Sequence, residues 1–130
     1  MAVAASHAVP DVIADENLCD RASEIGEIIR ARLNQIASQQ GMECIGQVRG
    51  IGAMNVFELV TDRATNAPDA ALTAAIVAEV EACGLILLSC GTRYHVIRLS
   101  PPLIIPMDQL QEALDIMEAA IESAVMAKRG

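Results

Sequence analysis

Arg98 is the only charged residue between Val96 and Met107, in a run otherwise made of apolar residues, Ser100 and prolines. A guanidinium stays charged at any physiological pH and presents a planar fork of donors that matches a carboxylate. Such an arginine either faces water or grips an anion. The other residues able to do chemistry are poorly arranged. Ser89 and Cys90 have His95 nearby in sequence, but neither a nucleophile elbow nor an orienting acid frames them. Glu58 stands among apolar residues, where an outward-facing strand glutamate is the expectation. Gly50 and Gly52 make a GxG that lacks the third glycine of a dinucleotide fingerprint and reads as a tight hairpin or bulge. The single lysine, Lys128, lies beyond the last apolar turn, where fraying would prevent the desolvation that makes a lysine nucleophilic. These patterns assign no catalytic, cofactor-binding or metal-ligating residue.

Composition narrows the partners. The chain has 130 residues, enough for one domain with its own core, and is 53% hydrophobic and 20% charged, a globular balance. Its formal net charge of -8 and its two aromatic residues, Phe57 and Tyr94, argue against nucleic acid, which needs cationic surface and stacking faces. Cys19, Cys44, Cys83 and Cys90 form no CxxC pair, and His7 and His95 do not join them at zinc-finger spacing. Buried, reduced thiols are expected. No apolar run reaches the roughly 20 residues that cross a bilayer, and MAVAASHAVP lacks the basic start of a signal peptide. A cytoplasmic protein without a membrane partner is expected.

The elements that must position Arg98 follow from periodicity. Ala2 to Ala14 is helical and interrupted by Pro10, where a kink or a late start is expected. Asp15 is a plausible N-cap for a long amphipathic helix carrying Leu18, Ala22, Ile25, Ile29, Leu33 and Ile36 to its end at Gly41. Asp20, Glu24, Glu27 and Arg30 form its solvated face. Two strands follow, joined near Gly50 to Gly52, then a polar loop from Thr61 to Ala67. Pro68 suits the first position of the next helix, whose apolar face is Leu72, Ile76, Val80 and Cys83. Leu85 to Ser89 reads as a short buried strand, Cys90 to His95 as a turn and Val96 to Ser100 as another strand. Pro106 opens a last helix with Leu110, Leu114, Met117, Ile121 and Val125 on one face. This order describes an α+β fold: a small, mostly antiparallel sheet of three to four strands with helices packed on one side, preceded by a long helical segment. Strand parity puts Arg98 on one face with Val96 and Ser100, opposite Ile97 and Leu99.

VRGIGAMNVFEL (Val48 to Leu59), NAPDAALTAAIVAEVEACGLILLSCG (Asn66 to Gly91) and YHVIRLSPPLII (Tyr94 to Ile105), in this order and spacing, resemble the C-terminal small domain of class III, pyridoxal-phosphate-dependent aminotransferases. GLILLSCG followed by VIRL is most similar to 4-aminobutyrate aminotransferases within that class. The resemblance implies that residues 1–14 are a remnant of the helix leaving a large cofactor-binding domain and that residues 15–130 are the small domain. It implies an enzyme moving an amino group between 4-aminobutyrate, or a related ω-amino acid, and 2-oxoglutarate. Pyridoxal 5'-phosphate and its lysine would belong to the large domain, before Met1, leaving this stretch inactive alone and without bound cofactor. The whole enzyme would be a homo-oligomer. Arg98 would bind the substrate's α-carboxylate, against an acidic partner from the large domain when the site is empty. Arg93 and His95 receive no role from the resemblance and read as exposed turn residues. The competing expectation is a free-standing α+β module that uses Arg98 for a small carboxylate or an acidic peptide.

Overall fold

The computed structural model describes residues 2–130, with the side chains of residues 1–7, His7 included, outside the description. In helix α2 (Leu18–Ser38), Ile25, Ile29, Leu33 and Ile36 are fully buried, a stripe that a 3.6-residue period brings onto one face. Its start differs from expectation. Asp15 ends helix α1 (Ala2–Asp15) instead of capping α2, and Asn17, with φ of 51°, takes the cap position. Asparagine tolerates this left-handed backbone, so the chain can break there without glycine. Helix α1 continues through Pro10 with no late start. The helix is exposed from Ala8 onward.

Strands β1 (Ile45–Ile51) and β2 (Met54–Asp62) form an antiparallel hairpin, turned at Gly52 with φ of +51°. Five strands are present where three to four were expected, because a two-residue strand, β3 (Ala67–Pro68), attaches to β2. Pro68 thus belongs to a strand, and Asp69 caps helix α3 (Ala70–Ala82) by accepting from the Leu72 N–H at 3.0 Å. Strands β4 (Leu88–Cys90) and β5 (Val96–Leu99) complete the antiparallel order β1-β2-β5-β4. Helix α4 (Met107–Arg129) buries all five of its expected apolar positions, Leu110, Leu114, Met117, Ile121 and Val125. The face of the sheet carrying Phe57, Leu59, Ile97 and Leu99 is buried under the helices. No helix among the described residues is long and apolar enough to cross a membrane.

Two apolar expectations fail for reasons of position. Leu85 to Ser89 is not a buried strand: pairing begins only at Leu88, and Ile86 is 82% exposed. Alternate residues Leu85 and Leu87 pack on the core while Ile86 and Leu88 point away, the period of an edge segment. The thiols are free but none is buried. Cys19 and Cys83 are exposed, Cys44 and Cys90 half-buried, and Cys83 leaves the apolar face of α3 because the helix ends there. Burial pushes the Cys44 thiol above its ordinary pKa. Since the thiolate is the reactive form, limited iodoacetamide at pH 8 should modify Cys19 and Cys83 before Cys44, as read by peptide mass spectrometry.

Lys128 is inside α4, not frayed, and forms an ion pair with Asp69. Burial alone would raise the Asp69 carboxyl, but the Lys128 ammonium and the Leu72 N–H hold it below its ordinary pKa. A carboxyl depressed in the folded state stabilises fully above its unfolded value of about 3.9, and that contribution is lost as pH falls through the folded value. Asp69→Asn keeps a capping side chain and should flatten the fall of stability below about pH 4 in denaturant titrations. Asp69→Ala should cost about 1 kcal/mol more at neutral pH through loss of the cap.

Candidate functional site

Arg98 occupies the third position of β5, opposite Val56 of β2 and Leu88 of β4. Its flanking residues Ile97 and Leu99 are buried, whereas Arg98 is exposed, so the expected parity holds around it. Val96 shares its parity but is buried. The turn after β4 returns over this position, and a Cβ built on Gly91 would lie 3.4 Å from the Val96 side chain. Arg49 faces Val56 from β1, placing Arg49, Val56, Arg98 and Leu88 in one row across four strands. The two arginines differ in partner. Arg49 donates to Glu58 at 2.6 Å, which settles Glu58 as an outward-facing, paired acid. Arg98 has no hydrogen bond or ion pair among the described residues.

Beside Arg98 lies a cleft of about 500 Å³. Leu88 and Arg98 form the terminal pair of the β4–β5 ladder. Beyond them β5 runs into Pro101 and Pro102, which have no N–H to offer a ladder, and the two chains part. Leu110, Leu114 and Met117 of α4 and Ile29 of α2 line the gap from the core side, with Arg98 as its only charged lining residue among the described residues. Ser100 is the only other polar residue there. Among the described residues, the lining of the cleft includes no acid, imidazole or thiol.

The remaining candidates do not assemble. Ser89 is exposed and Cys90 pairs with Val96 in the sheet, and no hydrogen bond among the described residues joins either to His95. His95 corrects the expectation of an exposed turn residue. It is half-buried, its carbonyl accepts from the Leu59 N–H at 2.8 Å, and its Nδ1 is a buried atom without a hydrogen-bond partner. Arg93 is exposed as expected. No group of His, Cys, Asp or Glu among the described residues could hold a metal ion.

Several residues around this framework were not singled out by the sequence. Arg30, expected on the solvated face, bends inward: its Nη1 donates to Asn55 Oδ1 at 2.8 Å and to the Gly52 carbonyl at 3.4 Å. Asn55 is fully buried and donates to the same carbonyl at 3.1 Å. Gly26 faces this knot, and a Cβ there would stand 1.9 Å from the Gly52 oxygen. A signal existed: glycine within a helix interior costs about 1 kcal/mol relative to alanine, so its presence on the buried stripe asks for a close approach.

A sequence model of the class-III aminotransferases matches residues 1–121. The 4-aminobutyrate aminotransferase of Escherichia coli strain K12 is 41% identical over 124 residues, which are 95% of this chain and 29% of that protein. An alanine/serine racemase of Pyrococcus horikoshii is 38% identical over 125 residues, 96% of this chain and 26% of that protein. Among solved structures, a phospholyase from Arthrobacter in complex with phosphoethanolamine superposes with a TM-score of 0.81 at 28% identity, covering 92% of this chain and 28% of that one. The chain thus spans somewhat over a quarter of the length of these relatives. With a family match over nearly its whole length and the same α+β architecture, the chain belongs to the class-III aminotransferases.

Proposed function

We propose that this chain serves as the C-terminal small domain of a pyridoxal-phosphate-dependent aminotransferase and that Arg98 binds the α-carboxylate of its substrate. The observation that carries the reading is a guanidinium that has no partner and is the sole charge lining an apolar cleft among the described residues. The amino donor in this reading is 4-aminobutyrate or a related ω-amino acid and the acceptor is 2-oxoglutarate, supported by the similarity to the Escherichia coli enzyme. A comparable stretch also occurs in the racemase, so the choice of reaction falls to residues elsewhere in the enzyme. The residues of this chain do not fit pyridoxal phosphate. Its one lysine is engaged by Asp69 and lines a different pocket from Arg98. The nitrogen chemistry is therefore assigned to a large domain outside these 130 residues, in a homo-oligomeric enzyme. Arg98 binds and orients the carboxylate, holding the carbon to be aminated at a set place.

Two measurements on the chain test the assignment. Mixed with pyridoxal phosphate, it should show no new absorption band that survives desalting and no turnover of 4-aminobutyrate; such a band with turnover overturns the division of labour. Titrated with 2-oxoglutarate and followed by NMR, it should show no saturable binding, since half of the site is elsewhere. Saturable binding lost in Arg98→Ala would favour a free-standing carboxylate module.

A further inference from the structure

The wall of the Arg98 cleft formed by Pro101, Pro102 and Ile105 cannot be held by a strand ladder. Prolines 101, 102 and 106 contribute no N–H, and among the described residues the only backbone bond closing this turn runs from the Ile105 N–H to the Pro102 carbonyl at 3.0 Å. The carbonyls of Leu103 and Ile105 are instead met from α2. Arg21 donates from Nη2 to the Ile105 carbonyl at 2.8 Å and from Nε to the Leu103 carbonyl at 3.4 Å. Its third contact, Nη1 to Glu24 at 2.6 Å, lies one helical turn along α2 and balances the charge brought against the loop. The side chain is only 27% exposed. A planar fork is the one side-chain geometry that can donate to two carbonyls two residues apart while a third nitrogen holds an anchor.

We propose that Arg21 is the positioning residue for this wall: it ties the proline segment to α2, the helix that also supplies Ile29 to the cleft, and so sets the cleft's width beside Arg98. Arg21 does not touch the anion. The inference rests on reading the cleft as the carboxylate site, but its test uses no ligand, so the two can fail separately.

Hydrogen exchange on the 130-residue chain reads the wall directly. Arg21→Met should speed exchange of the Ile105 amide about tenfold and shift the Arg98 Nε–Hε resonance, while amides of Phe57 and Ile97 in the sheet exchange as in wild type. Arg21→Lys, which can reach one carbonyl and not both, should restore part of the protection. Ile105 exchange unchanged in Arg21→Met would overturn the proposal. So would equal acceleration at Phe57 and Ile97, which would mean that Arg21 supports the whole fold and not the wall. Failure of Arg98 to matter for a substrate carboxylate would remove the reading of the site and leave these exchange rates as they are.

Discussion

Arg98→Ala should lower kcat/KM for 2-oxoglutarate by on the order of 10³-fold in a hybrid enzyme carrying this chain in place of the matching stretch of the Escherichia coli 4-aminobutyrate aminotransferase. Two charge-assisted hydrogen bonds from a guanidinium to a carboxylate contribute about 2 kcal/mol each once desolvated, and about 4 kcal/mol corresponds to that factor. Arg98→Lys keeps the charge but loses the fork, and should recover only part of the loss. The same Arg98→Ala change should leave the isolated chain's stability within about 0.5 kcal/mol, because an exposed side chain without partners among the described residues gives up little. Thermal unfolding by circular dichroism checks this second half. A large loss of activity with an unchanged fold separates a binding residue from a structural one.

Gly26→Ala should be among the most destabilising single changes in the chain. The added Cβ would meet the Gly52 oxygen at 1.9 Å and its carbon at 2.7 Å. These are main-chain atoms at the turn of the β1–β2 hairpin, so no rotamer change relieves the contact. The turn is also pinned by Arg30 and Asn55, and moving it would break both bonds. Overpacking of this kind costs about 3 kcal/mol, despite alanine's higher helix propensity, which returns about 1 kcal/mol. The thermal midpoint should fall by on the order of 10 °C. A midpoint equal to wild type would mean that α2 and the hairpin are not in contact as described. Because β2 is the strand beside β5, the hybrid enzyme should lose activity in parallel with its fold, unlike Arg98→Ala.

The helices were legible because their apolar spacing is long and regular. Every expected core position of α4 is buried, as are the last four of the six expected in α2, while Leu18 and Ala22, nearest its start, are half-buried. Legibility failed where a boundary depended on a single residue with two uses. Asp15 and Pro68 both favour helix starts, yet Asp15 ends a helix, with the cap passing to Asn17, and Pro68 sits in a two-residue strand, where long-range pairing with β2 overrides local preference. Arg98 could be found from its isolation in an apolar run. Its surroundings could not, because the cleft arises where β4 and β5 part and α4 passes beneath, a relation between distant segments. Arg21 and Arg30 look like surface charges on a helix wheel. Their partners are backbone carbonyls at Leu103, Ile105 and Gly52, which no residue type announces.

The role of Arg98 is tested most directly by comparing two amino acceptors in the hybrid enzyme. One is 2-oxoglutarate; the other is 4-oxobutanoate, the same molecule without its α-carboxylate. Each is reacted in single turnovers with enzyme that already carries the amino group, because 4-aminobutyrate and 4-oxobutanoate exchange without net change. Arg98→Ala should reduce kcat/KM for 2-oxoglutarate by on the order of 10³-fold and for 4-oxobutanoate by less than about threefold, since only the first offers the guanidinium a partner. An equal loss with both acceptors would contradict the carboxylate clamp.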